Sequence, residues 1–157
     1  MRVTEIEYRL LGLEQAGEVL TVQRAAFVAE ARVHGTTEIP PLVETLDEVR
    51  RELAETIMIG AFLAGRLIGA IRLTLEGPIG WISRVAVAPD QQGKGIGSGL
   101  LDAAEEAAPP HVRRFQLAAG RKSSANVTMY ERRGYREFSR RVDSAGVELV
   151  LMRKDRA

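Results

Sequence analysis

VAVAPDQQGKGIGSGLL, residues Val85–Leu101, is the stretch on which the reading of the chain turns. An apolar run to Ala88 breaks at Pro89 and Asp90, and glycines then recur at 93, 95, 97 and 99 before a helical pattern begins. A strand that hands glycines to a helix start gathers backbone N–H groups at the positive end of the helix dipole, which is a place for phosphate. Without a ligand the same residues make only a tight strand-to-helix turn. The spacing separates the phosphate motifs from one another. A Walker A loop needs Gly-Lys followed by Ser or Thr, but Gly95 follows Gly93 and Lys94, and the upstream glycine is missing. A dinucleotide fingerprint counted from Gly93 ends on Ser98, and counted from Gly95 it ends on Leu100.

Outward from this loop the periods alternate. Upstream, TEIEYRLL alternates at Ile6, Tyr8 and Leu10 and predicts a half-buried strand. GLEQAGEVLTVQRAAFVAEA has helical spacing, and RVHGTTEIPPL, with Gly35, Pro40 and Pro41, is expected to be loop. Thr45 and Glu48 form a capping-box pattern that predicts a helix to about Glu55. TIMIGAFLAGRLIGAIRLTL predicts a hairpin around Ala64–Arg66, and GWISRVAVA a third strand after Gly77 and Pro78. Downstream, the helix of the glycine loop is expected to end near Ala107, before Pro109 and Pro110. VRRFQLAAG reads as a strand, SSANVTMYERRGY as a short helix closed by Gly134, and YREFSRRV with VELVLMRK as a last hairpin. This order predicts an α/β (α+β) chain, a mixed sheet with helices on its faces, in a single domain over residues 1–157.

Composition narrows the chemistry. A chain of 157 residues, 45% hydrophobic and 27% charged, suffices for one core. A net charge of +1 argues for neither nucleic acid nor membrane as partner, and Glu131 and Glu137 make ERRGYREFSRR a solvated face. The absence of cysteine excludes thiol catalysis, and two histidines without paired spacing supply no metal site. MRVTEIEYRL lacks a signal-peptide pattern and no apolar run is long enough to span a bilayer, so a cytoplasmic location is expected.

Gln92-Gly93-Lys94-Gly95-Ile96-Gly97 has the pattern Q/R-x-x-G-x-G/A, and Tyr130-Glu131-Arg132-Arg133-Gly134-Tyr135 the pattern Y-E-x-x-G-F/Y. On these residues and the element order the chain resembles the GNAT N-acetyltransferase superfamily. The resemblance implies a mostly antiparallel sheet of about seven strands and transfer of an acyl group from acetyl-CoA, with no metal, to the amine of a small molecule or peptide. It implies that the backbone amides of Gly93, Gly95 and Gly97, with Ser98 or Gly99, hold the pyrophosphate, that Gln92 also contacts the cofactor, and that Val85 and Val87 guide and pair with the pantetheine arm. Lys94, Arg121 and Lys122 are candidates for the adenosine phosphates. Tyr130 matches the family tyrosine that protonates the leaving thiolate, and a homodimer is a further expectation. Many members carry, seven residues before that tyrosine, an Asn that contacts the pantetheine arm; here Ser123 stands there and Asn126 follows one turn later. The resemblance thus implies cofactor contacts from Ser123, Asn126 and Tyr130, with Asn126 either taking over that contact or only standing near the N-cap with Ser123 and Ser124.

An acceptor amine with a reference pKa of about 10.4 costs about 4.6 kcal/mol to deprotonate at pH 7, which calls for a base unless the acceptor amine has a low pKa of its own. The fourth strand, Trp81-Ile82-Ser83-Arg84, offers no acid, so Glu76, just upstream, is the candidate, with Glu30 and Glu38 beside the loop as further ones. That loop, with His34, Pro40, Pro41 and Leu42, is expected to border the acceptor, although a lone loop histidine is more often idle. His111 reads as a turn residue and Trp81 as packing; Arg84 either pairs with an acid or faces an anionic acceptor. The alternative class is a non-catalytic acyl-CoA-binding sensor or interaction module of the same fold.

Overall fold

The computed structural model describes residues 5–157. Residues 1–4, part of the N-terminal stretch and of the first expected strand, lie outside the described residues. The elements run β1 (Ile6–Leu10), α1 (Ala16–His34), α2 (Pro40–Val43), α3 (Leu46–Glu55), β2 (Ile57–Leu63), β3 (Arg66–Glu76) and β4 (Ile79–Val87). They continue with α4 (Ile96–Ala107), β5 (Arg114–Gly120), α5 (Ser124–Arg132), β6 (Arg136–Val142) and β7 (Glu148–Asp155). The seven strands make one sheet in the order β1-β2-β3-β4-β5-β7-β6. Every neighbouring pair is antiparallel except β4 and β5. The expected mixed, mostly antiparallel sheet is therefore the fold.

Both sheet faces are covered, which is why β2 and β3 read as near-continuous apolar runs. On one face Leu100, Leu101 and Ala104 of α4 pack against Ile59, Ile68, Ile71, Leu73, Phe115 and Leu117. On the other, Val19 and Leu20 of α1 and Val49 and Leu53 of α3 meet Met58, Phe62, Leu67 and Ala70. Each fully buried aliphatic side chain contributes about 1.5–3 kcal/mol. The capping box of α3 forms as its spacing predicts: Glu48 N donates to Thr45 Oγ1 at 3.2 Å and Thr45 N to Glu48 Oε1 at 3.0 Å. Ala64 and Gly65, at φ 49° and 81°, turn the β2–β3 hairpin.

Three local expectations are corrected. Leu10 is 67% exposed, and Leu11, whose amide donates to Met58 O at 2.8 Å, takes the core place instead. The loop expected from Arg32 begins only at Gly35 (φ 69°), because α1 runs a further turn to His34. Pro40 and Pro41 open the short helix α2, since a first-turn proline gives up an N–H that has no helical acceptor anyway.

Two irregularities position the site. β4 pairs with β5 only over Ile79–Ile82 and Arg114–Leu117, so beyond those residues the two strands part. On its other edge, β4 pairs Ser83 with Arg72 and Ala86 with Ala70, leaving Arg84 and Val85 opposite the single residue Ile71. That is a β-bulge, and Arg84 carries the strain of it at φ 52°.

Candidate active site

The glycine loop closes on α4 in a form that leaves its donors free. Gly93 and Gly95 have φ 78° and 80°, and a Cβ built on either would meet nothing within 4 Å. Glycine is needed here for the backbone turn, and the space in front of it is open. The first amide of α4 with a partner is that of Gly99, which donates to Gly95 O at 3.1 Å. The amides from Gly93 to Ser98 have no acceptor among the described residues. Gly95, as N-cap, has no side chain to supply one. An anion is the group that satisfies such an array. Gly99 does not belong to the cradle: its amide is committed to the helix, and a Cβ there would run into the Tyr8 hydroxyl.

From this cradle a cavity of about 580 Å³ runs between α1 and the start of α5. Val85, Val87, Gln92, Gly93, Gly95, Gly97, Ser98, Lys122, Ser123 and Asn126 line it, as do Phe27 and Glu30 of α1. Of the expected cofactor contacts, Lys94 and Tyr130 are not on this wall. Lys94 Nζ turns back to Gln91 Oε1 at 3.2 Å, and Arg121 is engaged by Glu148 at 2.7 Å, which leaves Lys122 as the basic side chain lining the cavity. Gln92 Nε2 donates to Val87 O at 3.1 Å and ties the loop to the end of β4.

A second cavity, of about 310 Å³, continues where β4 and β5 part. Phe27, Glu30, Val85 and Asn126 line both cavities and mark their junction. The second is walled by Trp81, Ser83 and Arg84 of β4, by His34, Pro40 and Pro41, by Gly120, and by Tyr130 of α5. His34, Pro40 and Pro41 therefore border it as expected, whereas Leu42 does not. Trp81 faces this cavity, and His111 is an exposed turn residue.

Glu30 joins α1 to α5 at the junction. Its carboxylate accepts from Ser123 Oγ at 2.6 and 2.8 Å and from Asn126 Nδ2 at 3.0 Å. Ser123 thus stands at the N-cap of α5 but turns its hydroxyl away to Glu30. The expectation that His34 lies exposed in a loop does not hold. It ends α1, its side chain is only 6% exposed, and Nδ1 is 3.0 Å from Glu30 O and 3.5 Å from Glu30 Oε2. A carbonyl oxygen only accepts, so Nδ1 carries a proton, and in the neutral form of the ring the lone pair lies on Nε2. That Nε2 is buried and has no partner among the described residues. Because α1 runs to residue 34 rather than ending near Ala31, Glu30 and His34 stand four apart on one helix face, a pairing the expected loop did not show.

Tyr130 is 6% exposed and packs edge-to-face on Tyr135 with ring centroids 6.1 Å apart. Burial, and then the charge of Glu30, raises its pKa well above the ordinary phenol value, so the hydroxyl stays protonated. The structure does not bring Glu76 to the site. It is exposed beside the β3–β4 turn, paired with Ile79 at the far end of β4, and lines neither cavity. Glu38 is exposed in the α1–α2 loop and also lines neither.

The family described as acetyltransferase (GNAT) domain matches residues 28–156. Solved structures share the fold at low identity. The PaiA N-acetyltransferase from Thermoplasma acidophilum, in complex with coenzyme A, is 20% identical with a TM-score of 0.80, over 98% of this chain and 100% of that one. An acetyltransferase of the GNAT family from Streptococcus pneumoniae is 21% identical with a TM-score of 0.76, over 98% and 100%. YncA from Salmonella typhimurium, solved with its cofactor acetyl-CoA, is 16% identical with a TM-score of 0.74, over 97% and 94%. No curated protein matches the chain in sequence. With the family matched over most of its length, the chain belongs to the GNAT acetyltransferases.

Proposed function

We propose that the protein transfers an acyl group, acetyl foremost, from acetyl-CoA to an amine by direct attack. The observation that carries this reading is the row of unpartnered amides from Gly93 to Ser98, opening onto a groove that leads to the gap between β4 and β5. The amides of Gly93, Gly95, Gly97 and Ser98 would hold the pyrophosphate, with Lys122 beside them. The edge of β4 at Val85 and Val87, released from β5, would take the pantetheine amides as a strand partner. Bound there, acetyl-CoA supplies an activated thioester carbonyl.

The amine nitrogen attacks that carbonyl carbon, so that a C–N bond forms and the C–S bond breaks. His34, whose Nε2 is unpartnered but closed to solvent in the free protein, takes the proton from the amine as the acceptor seats in the cavity, and Glu30 steadies the imidazolium that results. The Tyr130 hydroxyl, kept protonated by burial, donates to the leaving sulfur. His34 replaces Glu76 in this account as the proton acceptor. Holding amine and thioester together at the junction of two cavities supplies much of the rate. Calorimetric titration with acetyl-CoA tests the donor assignment: saturable binding weakened by free coenzyme A is expected, and no heat of binding would overturn it.

A further inference from the structure

The second cavity is lined by a cation, Arg84, that the protein neutralises only in part, through a carboxylate it shares with Arg72. Behind β4, Glu44 accepts from Arg72 Nη1 and Nη2 at 3.1 Å each and from Gln23 Nε2 at 2.9 Å. Both carboxylate oxygens are thereby engaged. Arg84 Nε stands 3.6 Å from Glu44 Oε1, beyond hydrogen-bond reach, and is buried with no partner among the described residues. Two guanidiniums against one carboxylate leave one positive charge over, and a guanidinium remains protonated at neutral pH. Burial pulls the pKa of Arg84 down and the charge of Glu44 opposes that, which is the mark of a cation held in place with too little compensation.

The backbone says the same. Arg84 occupies the left-handed region at φ 52°, on the bulge of β4, where glycine or asparagine is the unstrained choice. The strain aims a long cationic side chain into the wall of the 310 Å³ cavity, which Arg141 of β6 also lines. The two carboxylates on that wall are already engaged. Glu30 holds Ser123 and Asn126, and Asp143 Oδ1 accepts from the amides of Ala145 and Val147 at 2.8 and 3.0 Å. The charged donors on the wall are Arg84 and Arg141, and much of the remainder is apolar, with Phe27, Ile39 and Trp81.

Resting on the acyl-transfer reading, we infer that the acceptor is a small amine carrying its own oxyanion, a carboxylate or a phosphate-like group, which seats against Arg84 while the amine reaches His34. A cavity at the small end of ligand sites suits a molecule of amino-acid size.

The test compares matched pairs of acceptors with acetyl-CoA: amino acids against their amides, and aminoalkylphosphonates against the parent amines. The anionic member should show kcat/KM about 10- to 100-fold above its neutral partner, the discrimination expected when a buried charge is left unpaired. The pair that shows it identifies carboxylate or phosphonate. Arg84→Gly suits the backbone at φ 52° and should keep the fold, judged by its melting temperature, and the KM for acetyl-CoA, while bringing the ratio close to one. Arg84→Lys should retain part of it. Equal rates within every pair, or a ratio that survives Arg84→Gly, would overturn the assignment and leave acyl transfer standing. Binding of N-acetyl amino acids and their amides to the coenzyme A-loaded protein reads Arg84 without turnover. A preference for the anion that Arg84→Gly abolishes supports the inference, and equal binding refutes it even if no amine in the panel is acetylated.

Discussion

Ser123 Oγ lies 2.6 and 2.8 Å from the two carboxylate oxygens of Glu30, a bond between residues 93 apart in sequence that joins α1 to α5 over the junction of the two cavities. It fixes Glu30 where its main-chain oxygen and its charge both meet His34. His34→Gln, which keeps the volume and loses the lone pair, is expected to lower kcat about 100- to 10,000-fold. Glu30→Gln should lower it less, about 10-fold, because the main-chain bond to Nδ1 survives. Initial rates at saturating acetyl-CoA distinguish the two; equal rates for wild type and His34→Gln would remove His34 from the mechanism.

Tyr130→Phe keeps the packing on Tyr135 and removes the proton donor. A fall in kcat of about 100-fold or more is expected, with the KM for acetyl-CoA little changed. Because burial and Glu30 raise the phenol pKa above its ordinary value near 10, no loss of rate traceable to this tyrosine should appear on the alkaline side up to about pH 10. A rate profile that falls through pH 10 in wild type and is flat in Tyr130→Phe would contradict the burial argument.

Gly95→Ala and Gly65→Ala form a matched pair. Both residues have φ near 80° and open space where a Cβ would go. Each substitution should cost about 1–2 kcal/mol of stability from backbone strain. Only Gly95→Ala should also weaken coenzyme A, because only there does the open space belong to the amide cradle. Calorimetric dissociation constants compared at matched folded fractions give the answer.

Glu44 is the point at which stability and pH are linked. Burial alone would raise its pKa, but hydrogen bonds from Arg72 and Gln23, with the charges of Arg72 and Arg84, hold it below the ordinary carboxylate value. A depressed folded-state pKa gives stability that is present above the unfolded value, about 4.3, and lost as pH falls through the folded one. Asp90, held down to about 2 by hydrogen bonding from Arg66, extends the acid limb towards that pH. Glu44→Gln leaves two guanidiniums without a counter-charge and should cost about 3–5 kcal/mol at pH 7. It should also flatten the fall in melting temperature just below pH 5, as followed by calorimetry.

Much of the fold was legible because it follows from local chemistry. The capping box at Thr45 and Glu48, the turn at Ala64 and Gly65, and the glycines of Gly93–Gly97 each state their geometry within a few residues. The donor half of the site was legible for the same reason. The acceptor half was not, because it is assembled from residues far apart. Gln23, Glu44 and Arg72 form one buried network from three parts of the chain, with Arg84 of β4 beside it, and the charged members are residues that a sequence alone assigns to the surface. Glu76 was selected for being near the start of β4, but the antiparallel register sends it to the opposite end of the sheet from the gap. His34 was legible as a residue near the acceptor, but its pairing with Glu30 was not, because that depends on α1 continuing a further turn. Tyr130, Ser123 and Asn126 came from family resemblance; only the fold shows Ser123 and Asn126 converging on Glu30.

The central claim is that an amine consumes the thioester in this groove. Its most direct measurement is the initial rate of coenzyme A release from acetyl-CoA, with and without a panel of amines, for wild type and Tyr130→Phe. Release that rises with amine concentration, saturates, yields the N-acetyl product and drops in Tyr130→Phe is the predicted result. Saturable binding of acetyl-CoA with release no faster in the presence of any amine would contradict the account and make the protein a sensor of acyl-CoA.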